Sequence, residues 1–228
     1  MHIPDGYLGP LTSGVIYLAM LPIWAMGSAK VKRDFPTKRV PLLAISAAFS
    51  FVIMMFNVPI PGGTTGHAVG SVLAGILLGP WAASIVISVV LIIQALLFGD
   101  GGITAIGANC FNMAFVEVFV GYYIYKLISG SSPISSLRRA IAGGIGGYIG
   151  LNIASLTAAI QFGIQPLLHK TPDGKFLYCP YGLNVAIPSM MIEHLLIFGW
   201  MEGIVTFLVL RYLQKREPDL LEIRKEIR

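Results

Sequence analysis

Between Val40 and Gly99 the chain runs for sixty residues without one Asp, Glu, Lys or Arg. A soluble domain has about a quarter of its residues charged; here the whole chain has 12% charged and 55% apolar residues. Water cannot solvate the surface such a stretch would present, so lipid is the expected solvent. The net charge of +5 invites a nucleic-acid reading, but the placement of the cations argues against it. Cys110 lies in an apolar run and Cys179 in a polar loop; they have no ligand spacing and read as free thiols. The leading residues lack a basic n-region and do not resemble a cleaved signal peptide.

A bilayer core takes about 17–25 apolar residues per helix. Residues 11–29 satisfy this and stop at Lys30, Lys32 and Arg33. Further spans are expected at 40–56, 67–78, 81–98, 108–127, 140–161 and 187–213. The third is short, and Gly79-Pro80 divides it from the fourth, because proline removes a donor and clashes with the preceding turn. The only sizeable loop is 168–183. The sequence thus predicts an all-α integral membrane protein with seven transmembrane helices.

Lysine and arginine favour the cytoplasmic side. With the N-terminus outside, Lys30, Lys32, Arg33, Lys38, Arg39, Lys126, Arg138, Arg139, Arg211, Lys215, Arg216, Arg224, Lys225 and Arg228 fall inside. Only Lys170 and Lys175 remain outside, and an even number of spans spoils this partition. The mixed-charge tail at 214–228 reads as a solvated cytoplasmic extension.

The opening Met1-His2 carries the most specific chemistry. A terminal amine, the following amide nitrogen and the Nδ1 of His2 can close five- and six-membered chelate rings on one metal. A deprotonated amide nitrogen favours square-planar ions such as Ni²⁺ over tetrahedral Zn²⁺, and low-spin Co²⁺ also accepts such a field. Histidine at position two is too bulky for methionine trimming, so Met1 is expected to remain. The amine titrates near about 7.7–8.0 in model peptides, and metal must displace that proton, so affinity should fall in acid. Pro4 biases Ile3 toward extended backbone and Gly6 permits a sharp turn. Together they would let residues 1–10 fold back into the bundle as a plug; the alternative is a frayed tail in which His2 is accidental.

Three nitrogens leave one corner of a square open, and His67 is the candidate to fill it. It follows Pro61-Gly62-Gly63-Thr64-Thr65-Gly66, on the outer side and at the expected start of the third helix. The glycines allow another backbone to come close. A phosphate loop would need Lys and Ser or Thr after its last glycine, and His67-Ala68 stands there instead, so no nucleotide site is expected. The alternative for His67 is a hydrogen-bonded core residue.

Other intramembrane polar groups read more weakly. Gln94 and Asn109, near the outer ends of their helices, either orient the ligating histidines or form interhelical hydrogen bonds, as Asn112, Glu117 and Asn152 would. Glu193-His194 lacks zinc-protease spacing, and both residues read as structural, like Glu202. His169 reads as a solvated loop residue. Ala44 and Ala48 form a small-xxx-small pair suited to docking a partner membrane subunit, whereas Gly143, Gly146, Gly147 and Gly150 suit internal helix packing.

With these residues in view, Met1-His2-Ile3-Pro4-Asp5-Gly6 followed by Gly66-His67 resembles the CbiM/NikM substrate-binding subunits of energy-coupling factor (ECF) transporters, across essentially the whole chain. The resemblance implies a six-helix core at 40–213 preceded by an extra helix at 11–29, whose N-terminal loop inserts into that core. It implies metal ligation by the amine of Met1, the amide and imidazole of His2, and the imidazole of His67. It further implies a transmembrane coupling subunit met by Ala44 and Ala48, cytoplasmic ATPases, a small accessory membrane subunit and residence in a prokaryotic cell membrane. Ni²⁺ or Co²⁺ would be the transported substrate, with no catalytic cofactor and no nucleic-acid partner. Two competing readings are an intramembrane metalloenzyme using Glu193 and His194, and a vitamin-binding relative of the same transporter class.

Overall fold

The computed structural model describes residues 1–36 and 40–222. Lys38, Arg39, Arg224, Lys225 and Arg228, counted above for orientation, lie outside the described residues. Seven apolar helical segments follow in order among the described residues: α1 (Pro10–Asp34), α2 (Val40–Met54), α3 (Ser71–Leu78), α4 (Pro80–Phe98), α5 (Ile106–Ser129), α6 (Leu137–Leu168) and α7 (Leu183–Arg216). A short helix at Pro218–Glu222 follows α7. Five of them, α1 and α4–α7, are long and apolar enough to cross a membrane. The fifteen residues of α2 and the eight of α3 fall short of the roughly 20 that a span needs. Leu18, Leu97, Leu127 and Leu196 are exposed on the outer faces, a surface suited to lipid.

Helix ends follow local chemistry. Gly79 has φ +84, a conformation that ends α3 and costs a residue without Cβ little, and Pro80 opens α4 at a position where its missing N–H is not needed. The same reasoning corrects the expected start of the third helix. Gly70 has φ +74 and cannot be helical, so α3 begins at Ser71 and His67 lies in the non-helical segment before it. That segment follows a two-stranded hairpin, β1 (Val58–Pro59) and β2 (Thr65–Gly66), antiparallel with Val58 opposite Gly66.

α6 occupies the middle of the bundle, and its glycines explain why. A Cβ on Gly146 would sit 2.6 Å from the Gly121 carbonyl oxygen of α5, and one on Gly147 would sit 3.2 Å from the Glu202 carbonyl oxygen of α7. These glycines therefore bring three backbones together. α1 packs outside α4, where Trp24 Nε1 donates to Ser88 Oγ at 2.9 Å and Gly27 makes room for Ile85. On α2, Ser46, Ser50 and Met54 face inward while Ala44 and Ala48 are exposed.

Among the described residues, π-helical turns interrupt the regular α-geometry at Gln94–Phe98 in α4, Cys110–Glu117 in α5 and His194–Phe198 in α7. An extra residue per turn re-aims the side chains beside it. Gln94, Asn109 and His194 stand at or next to the start of these turns.

Candidate metal centre

The first three residues are inside the protein: Met1 and Ile3 are 0% exposed and His2 is 3% exposed. Their backbone is held as if it were a short strand. Ile3 N–H donates to Asn109 Oδ1 at 2.8 Å, and Ile3 carbonyl oxygen accepts from Asn109 Nδ2 at 3.1 Å and from Gly102 N–H at 2.9 Å. One primary amide thus satisfies both backbone groups of a buried residue, which water can no longer do. Asp5 then latches the segment, accepting from the Ile103 and Thr104 amides and the Thr104 hydroxyl. The Thr104 bonds hold its carboxyl below the ordinary aspartate range. Gly6, at φ +81, turns the chain toward α1. Gly9 N–H donates to Gln165 Oε1 at 3.0 Å, and Cys179 N–H to Tyr7 carbonyl oxygen at 3.1 Å.

This docking brings the Met1 amine and the two imidazoles together. The Met1 amine contacts the Thr65 carbonyl oxygen, lies 3.0 Å from Thr65 Oγ1 and is 2.9 Å from His67 Nε2. His2 N–H points at Thr65 Oγ1 at 3.2 Å. The two imidazoles lie with centroids 4.7 Å apart, tilted by 31°.

Each ring has one nitrogen committed elsewhere. His67 Nδ1 is 3.1 Å from the Ala68 carbonyl oxygen. That oxygen can only accept, so Nδ1 carries the proton and Nε2 is a bare lone pair facing the amine. His2 Nε2 is 3.2 Å from Gln94 Oε1, which likewise places the proton on Nε2. His2 Nδ1 is left buried with no hydrogen-bond partner. The nearest ionic group to it is Asp100, whose Oδ1 is 3.5 Å away.

Burial also sets protonation. Leaving water pushes the Met1 amine from 8.0 to about 4, against the pull of Asp100 and then Glu117. It pushes His2 from 6.5 to about 3, assisted by the amine's charge and opposed by the Gln94 bond. Asp100 is raised, mainly by burial, while the amine and the Asn57 bond act the other way. The donors are therefore neutral bases at pH 7.

The structure brings Met1, His2, His67 and Gln94 into one place. Asn109 is there too, but it grips the Ile3 backbone and touches neither histidine. Three contributors went unread in the sequence: Thr65 beneath the amine and amide, Asp5 as latch and Asp100 beside His2. Asp100-Gly101-Gly102 reads only as a helix stop, and no local pattern reports a contact across 98 residues.

The remaining candidates lie apart. Asn112 pairs with Gln161 through two 2.9 Å bonds, an ordinary link between α5 and α6. Glu202 Oε2 accepts from Val69 and Gly70 N–H at 2.8 and 2.9 Å, capping α3 just beyond His67. His194 Nδ1 is tied to the Met190 carbonyl oxygen at 2.7 Å, while the adjacent Glu193 is half-buried on another face. His169 packs over Gly9 and beside Tyr178 instead of standing free in solvent.

The chain is 52% identical over 225 residues to a fused nickel transport protein of Rhodobacter capsulatus, aligning with 99% of this chain and 65% of that one. It is 48% identical over 227 residues to a metal transport protein of Methanocaldococcus jannaschii, covering 97% of it. The crystal structure of a truncated transition metal transporter superposes with TM-score 0.91 at 54% identity, covering 94% of this chain and 99% of the other. The chain spans about two thirds of the fused protein's length. A family model described as the cobalt uptake substrate-specific transmembrane region matches residues 2–220, and the chain belongs to that family, CbiM.

Proposed function

We infer that this multi-pass membrane protein is the substrate-capturing subunit of an ATP-driven ECF importer, taking up Ni²⁺ or Co²⁺ from outside the cell. The ion is held by four nitrogens: the Met1 amine, the His2 amide and Nδ1, and His67 Nε2. The observation that carries this reading is His67 Nε2, a bare imidazole lone pair 2.9 Å from the buried Met1 amine, with the His2 ring centroid 4.7 Å from that of His67 and its Nδ1 buried without a hydrogen-bond partner. Four nitrogens on one square-planar ion stand at the corners of a square. The amine and His67 Nε2, neighbours on that square, are 2.9 Å apart. Among the described residues no three His, Cys, Asp or Glu side chains gather into a metal site. The backbone donors are thus what gives the reading its square. Oxygen-seeking Mg²⁺ and Ca²⁺ would be refused, while nickel and cobalt both suit the donors.

Residues 1–10 serve as the plug, α1 as the added helix and residues 40–213 as the core. The plug and the hairpin at 58–66 enclose the ion on the outer side, with the chain's C-terminal end in the cytoplasm. The exposed Ala44 and Ala48 on α2 are the docking face for a transmembrane coupling subunit. Cytoplasmic ATPases supply the energy and an accessory membrane subunit completes the complex; the fused relatives, of which this chain aligns with 65% and 66%, support such a partner. The relatives' names favour transport over the metalloenzyme reading of His194 and the vitamin-binding reading.

The test is metal titration of the detergent-purified chain with a free N-terminus. One Ni²⁺ per chain and a yellow, diamagnetic species are expected, the mark of a square-planar field. A green, paramagnetic six-coordinate complex would refute the four-nitrogen site.

Acid should release the plug even without metal. Both bases have docked values (about 4 and about 3) below their free ones (8.0 and 6.5), so the docked state binds fewer protons. Docking is then strongest above pH 8 and weakens as pH falls toward 4. Hydrogen exchange of the Ile3 amide should quicken across that window relative to core amides. A flat relative profile would contradict it. Metal capture also expels the His2 amide proton, so affinity should fall at least about tenfold per pH unit.

A further inference from the structure

We propose that the Asp100 carboxylate is the fixed counter-ion of the captured cation, supplying the negative charge that makes a divalent ion plus a deprotonated His2 amide electrically neutral inside the bundle. The inference rests on the four-nitrogen reading above and adds a residue that is not itself a ligand.

The charge count comes first. The amine and the two imidazoles are neutral donors and the amide nitrogen contributes one negative charge, so a divalent ion leaves one positive charge in a site whose groups are almost wholly buried. An uncompensated buried charge is costly, and a carboxylate at close range relieves it. Asp100 stands there: its Oδ1 is 3.5 Å from His2 Nδ1, with the side chain 16% exposed. Two other acids lie deeper. Glu202 already serves the Val69 and Gly70 amides, and Glu117 lies fully buried on α5, away from the plug's entrance where Asp100 stands.

Asp100 is also held in position. Asn57 Nδ2 donates to Oδ2 at 3.0 Å, and Asp100 N–H donates to the Gln94 carbonyl oxygen at 3.1 Å, at the end of α4. Gly99 and Gly101, at φ +67 and +87, turn the chain on either side of it. The carboxylate cannot swing into solvent without breaking the Asn57 bond.

The arrangement around His2 Nδ1 gives a second argument. With the ring proton on Nε2 toward Gln94, Nδ1 is a lone pair and the carboxylate oxygen 3.5 Å away is another. Two electron-rich atoms facing each other repel. A cation bound at Nδ1 turns that repulsion into attraction. The carboxylate therefore opposes the empty plug and favours the loaded one.

This opposition yields a test with two readouts of opposite sign. In the full-length chain, Asp100→Asn should weaken Ni²⁺ binding at least tenfold in equilibrium dialysis. Without metal, its plug should resist aminopeptidase as well as the parent's or better, because the new amide can donate to His2 Nδ1. The position of the visible absorption band should not move, since no ligand has changed. Asp100→Glu, which keeps the charge, should bind within a few-fold of the parent and gives a reading even if the Asn variant folds poorly. Unchanged affinity in Asp100→Asn overturns the inference, as does a loss in Asp100→Glu as large as in Asp100→Asn. A variant that loses both affinity and apo docking would assign Asp100 a merely structural role, and a shifted band would make it a ligand. A parent chain that binds no Ni²⁺ overturns the four-nitrogen reading itself, and this inference with it.

Discussion

A chain whose Met1 amine is extended by an acetyl group is expected to lose Ni²⁺ affinity by about a thousandfold or more, roughly 4 kcal/mol at about 1.4 kcal/mol per decade. The extension replaces an amine with an amide and so removes one corner of the square. It also has nowhere to go: Met1 is completely buried, and its nitrogen is wedged between the Thr65 carbonyl, the Thr65 hydroxyl and His67 Nε2. The helices lie elsewhere, so thermal unfolding of the apo bundle should shift by no more than a few degrees. Isothermal titration beside a melting curve separates the two effects. An extended chain that still binds nickel tightly would show that the leading amine is not a donor.

Gly102→Ala is expected to act almost as strongly without touching a donor. A Cβ at position 102 would lie 2.3 Å from Asp5 N, 2.6 Å from Asp5 Oδ1 and 2.7 Å from Pro4 C. Two of these are backbone atoms that cannot rotate away, so the plug itself must lift. Lifting it sacrifices the Gly102 N–H to Ile3 bond and strains the Asp5 latch on Ile103 and Thr104. Overpacking costs about 1–3 kcal/mol, and each lost buried hydrogen bond adds about 1 kcal/mol. Nickel affinity should therefore fall about a hundredfold, mostly through faster release. Stopped-flow transfer of nickel to a chelator reads this directly, and a release rate within threefold of the parent would contradict the tight fit.

These effects show where the sequence is informative. The charge-free run from Val40 speaks to lipid because solvation acts residue by residue. Met1-His2 speaks to metal because its chelate rings close within two residues. The meeting with His67 spans 65 positions and depends on a hairpin, a left-handed Gly70 and a docked plug, none of which has a local pattern. Asn109 illustrates the limit. Its depth marks it as useful, yet nothing in its neighbourhood says that it grips a backbone instead of a histidine. Thr65 and Asp5 look like ordinary loop residues until their partners arrive from elsewhere. The start of the third helix was misplaced because apolar composition continues through Ala68, Val69 and Gly70, while the backbone conformation of Gly70 does not.

Glu202 holds the amides of Val69 and Gly70, so the strand of chain ending in His67 is moored to α7. Asn109 holds Ile3, so the other half of the donor set is moored to α5. Between those two helices stands α6, meeting each through glycines and few side-chain knobs. In the proposed four-nitrogen site, a slide or tilt of α7 against α5 would then pull one corner of the square away from the other three. The grip on the cation would become a gauge of helix alignment, and a proposed partner that leaned on either helix would hold a lever on release.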